Sequence, residues 1–199
     1  MKKGMPQPEI LRRVEKNGYL TFKGRYNLNL IAIRGTNRQA GFYDDMLCVA
    51  YQDFGEGWNV LYYPCTTDAG EFYSRNPILG EAVGTARICP GQYRGAYQYG
   101  RYKNYQALVQ RNPEKPITIW RDKNRDSIAN LGGEKFTGSF SCHIHRAGVN
   151  TTEKHRVGKY SAGCIVIPEK ANFDQLIHLA QKQISARGID TFTLTLLQD

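Results

Sequence analysis

The chain has 199 residues, enough for one well-packed domain or one domain with a small extension. It is 41% hydrophobic and 23% charged, with no repeat or low-complexity tract, which excludes disordered and fibrous classes. Thirteen tyrosines and 20 glycines favour β structure with many turns over a helical bundle. The net charge of +9 favours polyanionic partners such as nucleic acid, anionic lipid or a phosphate- and carboxylate-rich cell wall. The basic residues are scattered, however, and no nucleic-acid-binding signature accompanies them.

The N-terminus, "MKKGMPQPEILRRVEKNGYL", lacks the apolar core of a secretory signal. No apolar run approaches the ~18 residues of a membrane span, so a soluble protein made in the cytoplasm is expected. The five cysteines (Cys48, Cys65, Cys89, Cys142, Cys164) are odd in number and irregularly spaced. They predict reduced thiols and no disulfide framework.

In chain order, "PEILRRVEKNG" predicts a short helix closed by Asn17-Gly18. "YLTFKGRYNLNLIAIRG" predicts a strand pair turned at Lys23-Gly24. Two strands follow, at about 46–52 and 58–65. The glycine-punctuated stretch from Gly84 to Gln110 predicts short strands and one helical turn near 103–110. "PITIWRD" is a strand and "DKNRDSIANLGGEK" a polar loop. "GSFSCHIHRA" is a strand whose alternation puts Cys142 and Ile144 on one face and His143 and His145 on the other. "GCIVI" begins a buried strand or helix. "NFDQLIHLAQKQISARG" is an amphipathic helix, with Phe173, Leu176, Ile177 and Ala180 on one face and Gly188 as its stop. "IDTFTLTLLQD" is a closing strand. The fold class is therefore mainly β, a β-rich α+β domain with few helices. One domain over 1–199 is expected, with 1–18 a helical extension and 172–199 a C-terminal helix and strand.

The densest chemistry lies in "SCHIHRAGVNTTEKHRVGKYSAGCIVIPE", which holds two cysteines and three of the four histidines. A thiol attacks well only as a thiolate, so it needs a base, a cation or a helix terminus beside it. Cys164 follows a glycine that permits a tight turn and precedes an apolar run that anchors it. His143 and His145 share a strand face and can supply the base. A small buried thiol is the alternative, the common fate of a free cysteine. Zinc on the cysteines and histidines of this stretch is a further alternative. Cys142 points away from both histidines, though, and no ligand pair has the short spacing usual in zinc sites. "DKNRDS" opens like a calcium loop through Asp122, Asn124 and Asp126, but Ser127 and Gly133 replace the expected glycine and glutamate. An Asx-rich turn is the competing account. His155 is expected exposed, in a polar linker (150–160) that can act as a lid, and Cys142 is expected in the core.

"IHRAG" followed by "YSAGCIVI" resembles the signature of the L,D-transpeptidase (YkuD-type) family, a histidine motif followed by Ser/Thr-His-Gly-Cys. "NLNLIAIRG", "FYDDMLCVAY", "CTTDAGEFY", "GTARICPGQY", "YQALVQRN" and "WRDKNRD" extend the likeness to a phage- and prophage-associated branch, over roughly 26–167. The resemblance implies an L,D-transpeptidase-like β-sandwich. It implies Cys164 as nucleophile on a peptidoglycan stem-peptide or cross-link carbonyl, His145 as general base held by a neighbouring backbone carbonyl, and an oxyanion hole around Gly163-Cys164. Ser161 stands at the family's Ser/Thr, and Tyr160, Arg146 and His143 are candidate substrate contacts, Arg146 for a carboxylate. "CTTDAG" and "CPGQY" would line the substrate groove. No cofactor or metal is implied. The departures are Ala162 at the second histidine, Val166 two after the cysteine and Arg146 at the glycine after the first histidine. They favour a hydrolase, or an acyl-transfer enzyme with altered acceptor choice, over a standard transpeptidase. The expected partners are peptidoglycan and anionic wall polymers, reached after release or delivery from the cytoplasm. A catalytically inactive wall-binding module of a phage tail or injection apparatus is the competing reading.

Overall fold

In the computed structural model, residues 6–55, 57–111, 113–130, 132–148 and 155–199 are described, and among them the chain is mainly β. The elements are α1 (Glu9–Lys16), β1 (Asn29–Arg34), β2 (Asp45–Gln52), β3 (Trp58–Cys65), α2 (Glu71–Arg75), β4 (Thr85–Ile88), β5 (Gly91–Tyr102), β6 (Tyr105–Gln110), β7 (Ile117–Asp122), β8 (Lys135–Gly138), β9 (Ile144–Arg146), β10 (Ile165–Ile167), α3 (Lys170–Arg187) and β11 (Thr191–Gln198).

Eight strands form one sheet in the order β10-β9-β6-β5-β11-β1-β2-β3, and β4-β7-β8 form a second. The large sheet curls so that its outer strands meet. Thr66, just past β3, exchanges backbone hydrogen bonds with Val166 of β10 at 3.0 and 3.1 Å. The short strand carrying the predicted site is thus paired on both sides, which makes it a rigid element rather than a frayed edge.

The apolar run of β1 follows from burial on both faces. Leu30 and Ala32 join the main core with the second sheet and α3, while Ile31 packs with Cys48, Ala50 and Leu197 under Ile10, Leu11 and Val14 of α1. The N-terminal helix therefore covers one face of the sheet. α3 buries Phe173, Leu176, Leu179, Ala180 and Gln183, with Ile177 at the margin, and ends at Gly188 in the left-handed conformation, φ 65°. That backbone suits glycine.

Three local expectations are overturned. Residues 19–28 form no strand, because β1 already pairs with β2 and β11. Instead the Asn29 side chain closes the segment, accepting from the Phe22 N–H at 2.7 Å and donating to the Phe22 carbonyl at 2.9 Å. Residues 105–110 are strand β6, not a helical turn. Lys103, at φ 54°, makes the tight turn between β5 and β6, and pairing with β5 decides the conformation. The strand predicted over 138–147 is strand only at β9, because Gly138 ends β8 and a left-handed Ser141 at φ 54° interrupts the stretch between them. "GCIVI" resolves as β10.

Candidate active site

β9 and β10 run parallel, with Ile144 opposite Ile165 and His145 opposite Val166. Extending that register one residue sets His143 beside Cys164, and alternation puts His143, His145 and Cys164 on one face. Ile144 and Ile165 fill the core on the other side, as does Cys142.

Cys164 is partly buried. Its Sγ accepts from the His143 backbone N–H at 3.3 Å and faces the Ser141 carbonyl at 3.5 Å. That carbonyl reaches the thiol because Ser141 adopts a conformation uncommon outside glycine. Gln110 holds the same segment in place. Its side-chain oxygen accepts from the N–H groups of Phe140 and Cys142, and its amide donates to the Gly138 carbonyl. Burial pushes the Cys164 thiol up to about 11, against the opposing bond from His143.

The two imidazoles are fixed in opposite senses. His143 Nδ1 accepts the Gln110 backbone N–H at 3.1 Å, so its proton sits on Nε2, and the ring is a donor. His145 Nδ1 lies 2.9 Å from the Arg146 carbonyl, which can only accept, so Nδ1 carries the proton and Nε2 offers a lone pair. That lone pair is buried without a hydrogen-bond partner among the described residues. Leaving such a group unmet costs about 1–3 kcal/mol. The ring stays because it is clamped. Tyr102 stacks on it at 4.4 Å between centroids and 24°, and the Tyr105 hydroxyl lies 3.5 Å from Nδ1 and donates to the Arg146 carbonyl at 3.3 Å. Burial, with lesser help from the charges of His143, Lys103 and Arg146, pushes His145 down to about 4. Burial lowers His143 as well. At neutral pH thiol and imidazoles are all uncharged.

The turn before the thiol is built by Ser161. Its buried hydroxyl accepts from the Gly163 N–H at 3.1 Å and donates to the Cys164 carbonyl at 2.8 Å. Gly163 has φ 124°, and a Cβ there would lie 2.6 Å from the Ala86 carbonyl. Ser161 thus shapes the turn, and the Gly163 N–H is occupied. The Cys164 N–H has no acceptor among the described residues, which leaves it as the oxyanion donor this turn can offer.

No family model matches the chain, and no curated protein matches it.

The other nominated residues fall around this centre. The Arg146 guanidinium lies 4.1 Å from the Tyr105 ring centroid and donates to the Ala147 carbonyl at 3.0 Å. Tyr160 is 36% exposed, close against Gly148. In the linker, 149–154 lie outside the described residues. Beyond them Val157 is fully buried and donates to the Gly41 carbonyl at 2.9 Å, so this part of the proposed lid is tied down, while His155 is exposed. Within "CTTDAG", Thr66 pairs with Val166 of β10 and the Gly70 N–H donates to the Ser161 carbonyl at 2.9 Å. Thr67 and Asp68 are committed to a buried network with Arg34, Asp45 and Arg87.

Asp122 and Asp126 close their own loop. Asp122 accepts from Asn124 and Asn130, and Asp126 from the Ile128 N–H at 2.8 Å and the Asn124 amide at 2.8 Å, an Asx-turn arrangement. No group of three or more metal-ligating side chains clusters among the described residues. Sequence reasoning missed Tyr102, Tyr105, Gln110 and Ser141. The tyrosine-rich "YQYGRYKNYQ" is the only trace of them, and it marks aromatic residues without saying that they clamp a histidine.

Proposed function

We propose that this protein is a cysteine-dependent acyl-transfer enzyme of L,D-transpeptidase type, built on a variant of that family's β-sandwich, which attacks a carbonyl in the peptide stems or cross-links of peptidoglycan. The observation that supports it most is a partly open thiol on the same strand face as a clamped imidazole whose buried acceptor has no partner among the described residues.

Catalysis starts from the uncharged pair. As Sγ of Cys164 bonds to the carbonyl carbon, the thiol proton passes to His145 Nε2 and the carbonyl π electrons move to oxygen. The Cys164 N–H and the His143 Nε2–H are the donors for that oxyanion. Collapse expels the amine, which takes the proton from His145, and leaves a thioester. His145 then removes a proton from water or an acceptor amine, which attacks the thioester and restores the thiol. Ala162 at the second histidine supports hydrolysis or altered acceptor choice. Delivery from the cytoplasm during phage lysis, and a basic surface that holds anionic wall polymers, belong to the same proposal.

Ala162 and the missing hydrogen bond between thiol and imidazole favour one other reading, an inactive wall-binding module. A single experiment separates them. Wild type, Cys164→Ala and His145→Ala are incubated with isolated peptidoglycan, and the released fragments are weighed by mass spectrometry. Wild type is expected to alter the stem peptides, with Cys164→Ala slower by at least ~10⁴-fold. If all three leave the wall intact yet co-sediment with it, the enzyme reading fails and the binding module replaces it.

A further inference from the structure

β7 carries Ile117, Ile119 and Arg121 on one face, by the two-residue period of a strand. Ile117 and Ile119 are fully buried in the main core. Arg121 is the third member of that inward row, and a guanidinium cannot shed its charge there. The two other arginines that point inward, Arg34 and Arg87, both engage Asp68. Arg121 has no carboxylate partner among the described residues. It rests 5.3 Å from the Phe140 ring centroid and makes one long hydrogen bond, 3.4 Å, to the Gly84 carbonyl. Most of its five donors stay available.

The row opens into a groove of about 540 Å³ lined by Arg121 with Ile78, Leu79, Ala86, Phe140, Ser141 and Ala162. Two paths join this groove to the thiol. Ala86 is the cross-strand partner of Arg121, and its carbonyl is the atom that a Cβ on Gly163 would strike. Phe140, under the guanidinium, precedes Ser141, whose carbonyl faces the Cys164 thiol. Ile78 and Leu79 are 66% and 63% exposed and form an apolar shoulder. An unpaired, partly desolvated cation beside such a shoulder is complementary to a carboxylate carried on a small aliphatic residue.

We propose that Arg121 anchors the free terminal carboxylate of a peptide in this groove, so that a carbonyl further along the same peptide is presented to Cys164. The selection of peptide ends rests on the acyl-transfer reading, while the carboxylate subsite stands on the groove itself.

The test uses Cys164→Ala protein, which binds without turnover, and isothermal titration with L-Ala-L-Ala-D-Ala as the free acid and as its C-terminal carboxamide. The acid is expected to bind at least tenfold more tightly than the amide. Adding Arg121→Gln removes that difference, and an unchanged thermal unfolding midpoint shows that the fold around the groove is intact. Arg121→Lys restores only part of it, because an ammonium lacks the planar fork. Equal binding of acid and amide, a preference that survives Arg121→Gln, or no binding of either overturns the proposal. Failure of the acyl-transfer reading looks different: the preference for the acid persists while wild type leaves wall fragments uncut.

Discussion

Two polar clusters sit in the same β framework and are treated in opposite ways. Around Arg34, every strong group has a partner. Arg34 donates to the Thr67 hydroxyl, the Thr67 carbonyl and the Ile88 carbonyl at 2.8–3.0 Å, and Asp45 accepts from the Gly35 and Thr67 N–H groups and the Thr67 hydroxyl. Asp68 accepts from Nε and Nη2 of Arg87 at 2.6 and 3.0 Å, and Nη1 donates to the Asn130 carbonyl. Burial alone would raise Asp68, but the two arginines outweigh it and hold the carboxyl below its usual range. Around Cys164, by contrast, the rings are clamped while the reactive atoms are left unmet: His145 Nε2 has no partner among the described residues, and the thiol bonds to neither imidazole. Saturated polar burial fixes a shape. Unsaturated polar burial, held by its neighbours, keeps capacity for a ligand or a transition state.

The sharpest way to break this comparison is Asp68→Ala. It strands two inward-facing guanidinium groups and is expected to cost about 3–5 kcal/mol in urea unfolding. A cost under about 1 kcal/mol would mean the network is not structural. Next in size is acid. The unfolded His145 ring takes a proton at about 6.5, while the folded ring waits until about 4. The unfolded state therefore binds more protons in that window, and stability falls as pH drops from about 6.5 to 4, then levels off. The loss from this ring is roughly 3 kcal/mol, and His145→Phe should lack it. Identical acid profiles for the two proteins would show that the ring is not held neutral.

A smaller effect tests the turn. Gly163→Ala puts a Cβ onto the Ala86 carbonyl and forces alanine to a positive φ, so a loss of about 1–3 kcal/mol in thermal unfolding is expected. A neutral result would mean the turn relaxes freely, and the oxyanion geometry with it. Least in energy but direct in meaning is thiol reactivity. With Cys164 pushed up to about 11, its alkylation by iodoacetamide should quicken about tenfold per pH unit between 7 and 10. The four buried cysteines should react only on unfolding. A plateau already present at pH 7 would reveal a preformed thiolate and contradict the uncharged resting pair.

Much of the framework was legible in advance where a local pattern suffices. The helices ending at Asn17-Gly18 and Gly188 follow from periodicity and caps, and the strands beginning near Asp45, Trp58 and Ile117 from apolar alternation. The shared face of His143 and His145 is a consequence of the strand period alone. Residues 105–110 were misread because Ala107 and Leu108 suit a helix as well as a strand, and only pairing with β5 decides. Residues 19–28 were misread because the hairpin partner they needed is displaced by β11, more than 160 positions away along the chain.

The sequence by itself determined a mainly β chain, the two long-range helical signals, and a thiol and two histidines able to share one strand face. Those are properties of neighbours in the chain, and short-range periodicity carries them. The tertiary structure alone decided which ring nitrogen of each histidine is free, that Ser161 builds the turn, that Thr67 and Asp68 serve the framework, and that Arg121 lines a groove next to Ser141 with no carboxylate partner among the described residues. Each depends on a contact between residues distant in sequence, such as Gln110 with His143 or Ala86 with Gly163. Such contacts exist only once the sheets have curled together and burial has set what each polar atom can reach.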